Sequence, residues 1–107
     1  MSQTGWTFLT NHAHVALTLA ESSELTIREL ARVVGITERA VQQILNDLVE
    51  ADYLERDRVG RRNSYRLKGE RPLRHAVESH CRLRDLVSMV YPDRTGPGRE
   101  SLPGDTP

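Results

Sequence analysis

Arg39, Gln43 and Asn46 are spaced four and three residues apart. At about 100° per residue that spacing places all three side chains on one helical face, with Glu38 and Gln42 flanking them. Arginine, glutamine and asparagine are the planar side chains that make paired hydrogen bonds to guanine and adenine edges. Thr37 opens the segment as an N-cap, where a hydroxyl and the helix dipole together suit a phosphate oxygen. A second set follows: Arg58, Arg61, Arg62 and Arg66, with Asn63 among them. Five arginines fall in the eleven residues from Arg56 to Arg66. That density exceeds what keeps an exposed hairpin soluble, and it suits the negative potential of a narrow minor groove and its phosphates.

Other chemistries fit less well. His12 and His14 would diverge by about 160° on a helix, and His75 and His80 by about 140°, so neither pair supplies two metal ligands on one face. A metal site is thus left only to an assembly between subunits, and no cofactor is expected. Cys81 is the single cysteine, with no partner for an internal disulfide, and nothing in the sequence marks it as a reactive thiol. The chain carries no glycine-rich phosphate loop, no Gly-x-Ser-x-Gly and no metal-binding His/Glu pair, so enzymatic activity is not expected.

The elements that position these residues follow from the hydrophobic period. Asn11 is the expected N-cap of a first helix carrying Val15, Ala16, Leu19 and Ala20. A short strand is expected near Leu25. Thr26-Ile27-Arg28-Glu29 reads as a capping box, opening a helix with Ile27, Leu30, Ala31 and Val34 inward and Gly35 at its end. Thr37 then caps a third helix to about Ala51, whose inward stripe is Val41, Ile44, Leu45 and Leu48. Two helices about a tight glycine-containing turn form a helix-turn-helix. The period then changes to that of strands over 53–58 and 63–68, joined through Gly60 as a hairpin.

A last helix is expected from Pro72 to Val90, about 28 Å long at 1.5 Å per residue. Its apolar side would carry Leu73, Val77, His80, Leu83, Val87 and Val90. With Trp6 and Phe8 these residues are the expected dimer interface. Domain organisation is then one unit over 1–91, with a dimerisation helix at about 72–90, and a disordered Pro/Gly-rich tail over 92–107. The fold class is mainly α (α+β), a winged helix-turn-helix.

Composition bounds the function. Fifteen Lys and Arg balance fifteen Asp and Glu, but the charge is unevenly spread. From Arg56 to Arg74 eight basic residues meet two acidic ones, a local net of +6; from Glu21 to Glu50 six acids meet three arginines, a local net of −3. Such a chain touches a polyanion along one edge only. No apolar run reaches the ~18 residues of a membrane span, and Met1 to Gly5 lack a secretory leader's features, so a cytoplasmic, membrane-free protein is expected.

The order of elements resembles that of the MarR and ArsR groups of bacterial regulators. The resemblance rests on Leu25 to Ala31, Val34 to Val41, Leu48 to Leu54 and Arg58 to Leu67, and covers roughly residues 10 to 70. It implies a cytoplasmic transcriptional regulator, commonly a repressor, that binds double-stranded DNA as a homodimer. It carries over no ligand, so a small-molecule effector stays open with none indicated. Two rival readings are a winged-helix protein–protein adaptor and an RNA binder. For RNA, Tyr53 and Tyr65 are the only expected solvent-facing aromatics, too few for a base-stacking platform.

Overall fold

A computed structural model describes residues 5–60 and 62–92 of the chain. Three helices come first: α1 (Asn11–Glu21), α2 (Ile27–Val34) and α3 (Glu38–Glu50). A hairpin of β1 (Leu54–Val59) and β2 (Arg62–Leu67) follows, and then a short α4 (Leu83–Val90).

Each of the first three helices begins at a threonine. Thr10, one residue before the expected Asn11, caps α1 by accepting from the Ala13 N–H at 3.2 Å. A residue whose hydroxyl reaches the third N–H wins the cap, and Asn11 instead bonds His14 within the first turn. The Thr26–Glu29 capping box forms as expected, with bonds of 3.0 and 2.8 Å. Thr37 caps α3 by accepting from Ala40 N–H at 3.0 Å. Between α2 and α3 the chain turns at Gly35, with φ 86°, a left-handed conformation that glycine takes without a Cβ penalty.

The core lies where the helices and the hairpin meet. Val15, Ala16 and Leu19 of α1, Leu30 and Ala31 of α2, and Val41, Ile44, Leu45 and Leu48 of α3 are all buried. The hairpin closes it with Tyr53, Leu54 and Tyr65. Both tyrosines are therefore inside, not solvent-facing as expected; Trp6 and Phe8 are the exposed aromatics, stacked edge to face at 4.9 Å. No strand forms at Leu25 among the described residues. The connection there touches the hairpin through one backbone bond, Tyr65 N–H to the Ser23 carbonyl at 3.1 Å.

The hairpin register pairs Leu54 with Leu67, Arg56 with Tyr65, Arg58 with Asn63 and Val59 with Arg62. Gly60, at φ 67°, supplies the positive φ that a tight hairpin turn needs. Where α3 hands over to β1, Asp52 also takes a positive φ of 69°. Lys68 donates to its carboxylate at 2.9 Å and Arg71 lies at 3.7 Å, so two cations from beyond the hairpin clasp the bend.

The single helix expected over 72–90 is not formed. Only its last two turns, Leu83–Val90, are helical, and 72–82 is a closed loop. The loop ends meet through Leu73 N–H to the Cys81 carbonyl and Leu83 N–H to the Arg71 carbonyl, both at 2.9 Å. Tyr53 donates its hydroxyl proton to the Pro72 carbonyl and holds the loop's first residue down. The physical reason lies in reach. On one straight helix Leu73 and Leu83 would stand about 15 Å apart along the axis, too far to share a small core. The folded loop brings Leu83 fully into that core and Leu73 against it. Asp85 then caps α4 by accepting from the Arg82 N–H at 2.8 Å.

Two stability outcomes follow from this arrangement. Leu45→Ala, in the middle of the α3 stripe, should cost about 2–5 kcal/mol in urea unfolding, against about 1 kcal/mol for Thr26→Ala. The hydrogen bond from Lys68, aided by its charge and that of Arg71, holds the Asp52 carboxyl below its ordinary pKa. A depressed folded value means the pair stabilises above the unfolded carboxyl's pKa, and that stability is lost as pH falls through the folded one. The gap in urea midpoint between the parent and Asp52→Asn should therefore be widest near neutral pH and close in acid; a gap that widens in acid would contradict the clasp.

Candidate nucleic-acid interface

Burying Val41, Ile44, Leu45 and Leu48 turns the opposite face of α3 outward. Thr37, Glu38, Arg39, Gln42, Gln43 and Asn46 are all exposed there, as their spacing predicts. Thr37 spends its hydroxyl oxygen on the cap and keeps its proton to donate. Two of the amides are not free rotors. Gln43 donates from Nε2 to Asp47 Oδ1 at 3.0 Å, and Asn46 accepts at Oδ1 from the Arg56 guanidinium at 3.2 Å.

The second bond joins the wing to the helix. Alternation along the hairpin places Leu54, Arg56 and Arg58, with their partners Leu67, Tyr65 and Asn63, on the face toward α3. Leu54 and Tyr65 enter the core, while Arg56 lies over the Tyr65 ring, 6.0 Å from its centroid, and reaches Asn46. Arg58 continues that face beyond Arg56, exposed, with Asn63 half-buried opposite it. Arg66 occupies the other face with Glu55, Asp57 and Ser64, and it forms an ion pair with Glu55. Arg58 and Arg66, grouped together by sequence, therefore point to opposite sides. Of the tip arginines, Arg61 lies outside the described residues, and Arg62 is described by its backbone register alone.

The basic stretch is also less open than its sum. Lys68 and Arg71 are held by Asp52, and Arg66 by Glu55. Arg39, Arg56 and Arg58 remain as exposed cations on the α3 side.

Behind this exposed face, Asp47 joins two helices. Its Oδ2 accepts from His12 Nε2 of α1 at 2.9 Å while Oδ1 takes Gln43. The His12 hydrogen bond, then that of Gln43, holds the Asp47 carboxyl below its ordinary pKa, and the charges of His12 and Arg74 add to this. Asp47, His12 and Arg56 were not in the sequence-derived set. The Gln43–Asp47 spacing of four is legible as a helix pair. The His12–Asp47 contact spans 35 residues and leaves no such mark.

The expected dimer residues separate. Trp6 and Phe8 are 76% and 90% exposed, and Val77 and Val90 are exposed as well. Leu83 is a core residue of its own chain, and His80 lies exposed in the 72–82 loop instead of on a helical stripe. Leu73 and Val87 are half-buried. A groove of about 820 Å³ opens between the lead-in to α1, the end of α3 and the 72–86 segment, lined by Phe8, Leu9, Ala13, Leu48, Leu73 and Leu86. His12 and Asp47 border the same groove. Among the described residues no group of three or more His, Cys, Asp or Glu stands close enough to hold a metal ion, and no helix is long and apolar enough to cross a membrane.

Two solved structures are similar to this chain. One is a Mycobacterium tuberculosis MarR family protein in complex with salicylic acid, 24% identical, with a TM-score of 0.51 over 87% of this chain and 62% of that one. The other is the zinc-dependent MarR family transcriptional regulator AdcR in its Zn(II)-bound state, 30% identical, with a TM-score of 0.45 over 64% of this chain and 49% of that one. The chain thus spans less than two thirds of the length of either solved protein. No curated protein matches it. The model of the MarR family matches residues 6–62, from the lead-in to α1 through the helix-turn-helix and the first wing strand. A capped helix pair about a left-handed glycine, a wing hydrogen-bonded to the second helix, and a family match over more than half of the sequence lead to one assignment: this chain belongs to the MarR family.

Proposed function

We propose that the chain is a sequence-specific, double-stranded-DNA-binding transcriptional regulator that acts as a homodimer, most simply as a repressor that occludes its operator. The observation that carries this reading is the single exposed surface formed by α3 and the inner wing face, joined by the Arg56–Asn46 bond. An α-helix fits the major groove, where Arg39, Gln43 and Asn46 meet base edges. Arg58 and Asn63 extend the same edge along the wing, and Arg61 and Arg62, assigned from sequence alone, are the further contacts to phosphates and the minor groove. Arg66, on the far face and paired with Glu55, moves to the margin of the interface.

The apolar groove and the exposed Trp6–Phe8 pair supply a surface for a second copy, with Leu73 and Leu86 on its other wall. Two recognition helices then sit one DNA turn apart, ~34–36 Å, over a roughly palindromic site. Exposed aromatics beside a groove also suit a partner protein. The adaptor reading is therefore the alternative that the same test must separate.

Fluorescence anisotropy against the DNA upstream of its own coding sequence and a scrambled duplex, at several salt concentrations, is the direct test. Tighter binding to the upstream duplex, with log affinity falling linearly in log salt, is the expected result. Failure to bind either duplex at low salt would favour the adaptor. Within the interface the contacts divide. Gln43→Ala should lose about 1–3 kcal/mol of discrimination between bases. Arg58→Ala and Arg61→Ala should weaken all duplexes alike, and each should lower the salt slope by about 1. Parent-like binding in all three variants would displace the interface from this surface.

A further inference from the structure

The amides of Gln43 and Asn46 each have one end bound to a neighbour that itself lies outside the base-reading set. Gln43 Nε2 gives one proton to Asp47 Oδ1 at 3.0 Å, and Asp47 Oδ2 accepts from His12 at 2.9 Å. An ionised carboxylate only accepts hydrogen bonds, so the amide nitrogen must face Asp47 and His12 Nε2 must carry the proton between them. The low pKa of Asp47 keeps it in that acceptor-only form. Asn46 is held in the opposite sense. Its oxygen faces the Arg56 guanidinium at 3.2 Å, and a guanidinium only donates.

From this geometry we infer that Asp47 and Arg56 are positioning residues that set which hydrogen-bonding pattern the recognition helix shows to DNA. The inference rests on the DNA-binding reading above and deepens it. With its nitrogen tied to Asp47, Gln43 presents its carbonyl oxygen and its second N–H. That is an acceptor beside a donor, the complement of adenine N6–H and N7. Asn46, with its oxygen turned to the wing, presents the two protons of Nδ2. Those suit an acceptor edge such as guanine O6/N7 or thymine O4. His12 supports the first arrangement by occupying the other carboxylate oxygen, which stops Asp47 from rotating away.

Free glutamine and asparagine rotate through two amide orientations and read donor and acceptor edges nearly alike. Fixing the orientation adds no new contact to DNA. It removes the wrong one, so its signature is a change in base preference without a matching change in sequence-independent affinity. A merely structural role would lower both together.

The test is selection of a motif from a randomised duplex pool by the full chain, then titration of every single-base-pair variant of that motif. Gln43→Ala and Asn46→Ala identify the base pair that each amide reads. Asp47→Asn keeps the shape but offers Gln43 both a donor and an acceptor, which permits the flip. Its change in charge acts on all sequences and cancels in the preference ratio. Arg56→Met keeps the stem over Tyr65 and removes the donor to Asn46. Where the parent discriminates by about tenfold or more, Asp47→Asn should fall to within about twofold at the Gln43 base pair alone, and Arg56→Met at the Asn46 base pair alone. Thermal melting of each variant establishes that it is folded.

Retention of the parent's preference in both positioning variants, while the alanine variants lose it, would overturn the inference and leave DNA reading intact. Alanine variants that change no base pair in a parent with a clear motif would also overturn it. A parent that selects no motif would overturn the DNA-binding reading itself, and the positioning role with it.

Discussion

Burial of the Val41, Ile44, Leu45 and Leu48 stripe is the constraint on which the rest depends. Each of these side chains gains about 1.5–3 kcal/mol on leaving water, so rotation of α3 about its own axis would expose several at once. The helix is therefore fixed in azimuth, and its opposite face is fixed with it. Arg39, Gln43 and Asn46 point outward because four apolar side chains on the same helix point in. The glycine turn at Gly35 and the Thr37 cap set where the helix begins, and so which turn carries which side chain.

The wing uses the same core to set its own position. Leu54 and Tyr65 enter from the hairpin, and period-two alternation then assigns every other wing residue to the α3 side or the outer side. A slip of one residue would bury Glu55 and Arg66 and expose the aromatic ring. Asp52, bent to positive φ and clasped by Lys68 and Arg71, sets the angle at which the strand leaves the helix. Arg56 completes the geometry: its guanidinium rests over a buried ring and bonds to the helix, so helix and wing form one surface.

Local signals in the sequence were sufficient for the elements whose cause is local. The capping box at Thr26, the left-handed glycine, the α3 stripe and the hairpin turn each follow from residues within a few positions of one another. The 72–90 segment was not legible for the converse reason. Its apolar residues fit a helical wheel, but Leu73 and Leu83 answer to a core built from α1, α3 and the wing, and only a folded loop brings both to it. Leu83 thus changes from an interface candidate to a core residue, and His80 from a helical stripe to an exposed loop. The partners of the exposed α3 face were hidden similarly. The histidine that holds Asp47 comes from another helix, and the arginine that holds Asn46 comes from a strand. Pairing at such separations is decided by the fold and not by the period.

Asp47 has a second consequence, because it belongs to two surfaces at once. One oxygen holds the Gln43 amide, and the other faces His12 at the rim of the apolar groove, with the charge of Arg74 from the 72–82 loop nearby. Anything seated in that groove, a second copy included, meets the carboxylate from behind. An exposed contact of this kind contributes little to overall stability, so its disturbance would not unfold the domain by itself. What it controls is orientation. A contact that takes His12 away frees Asp47 to turn, and a turned Asp47 releases Gln43. On the proposed reading of DNA by α3, a contact in the groove would then bear on which base the helix reads more than on how tightly the domain holds the duplex.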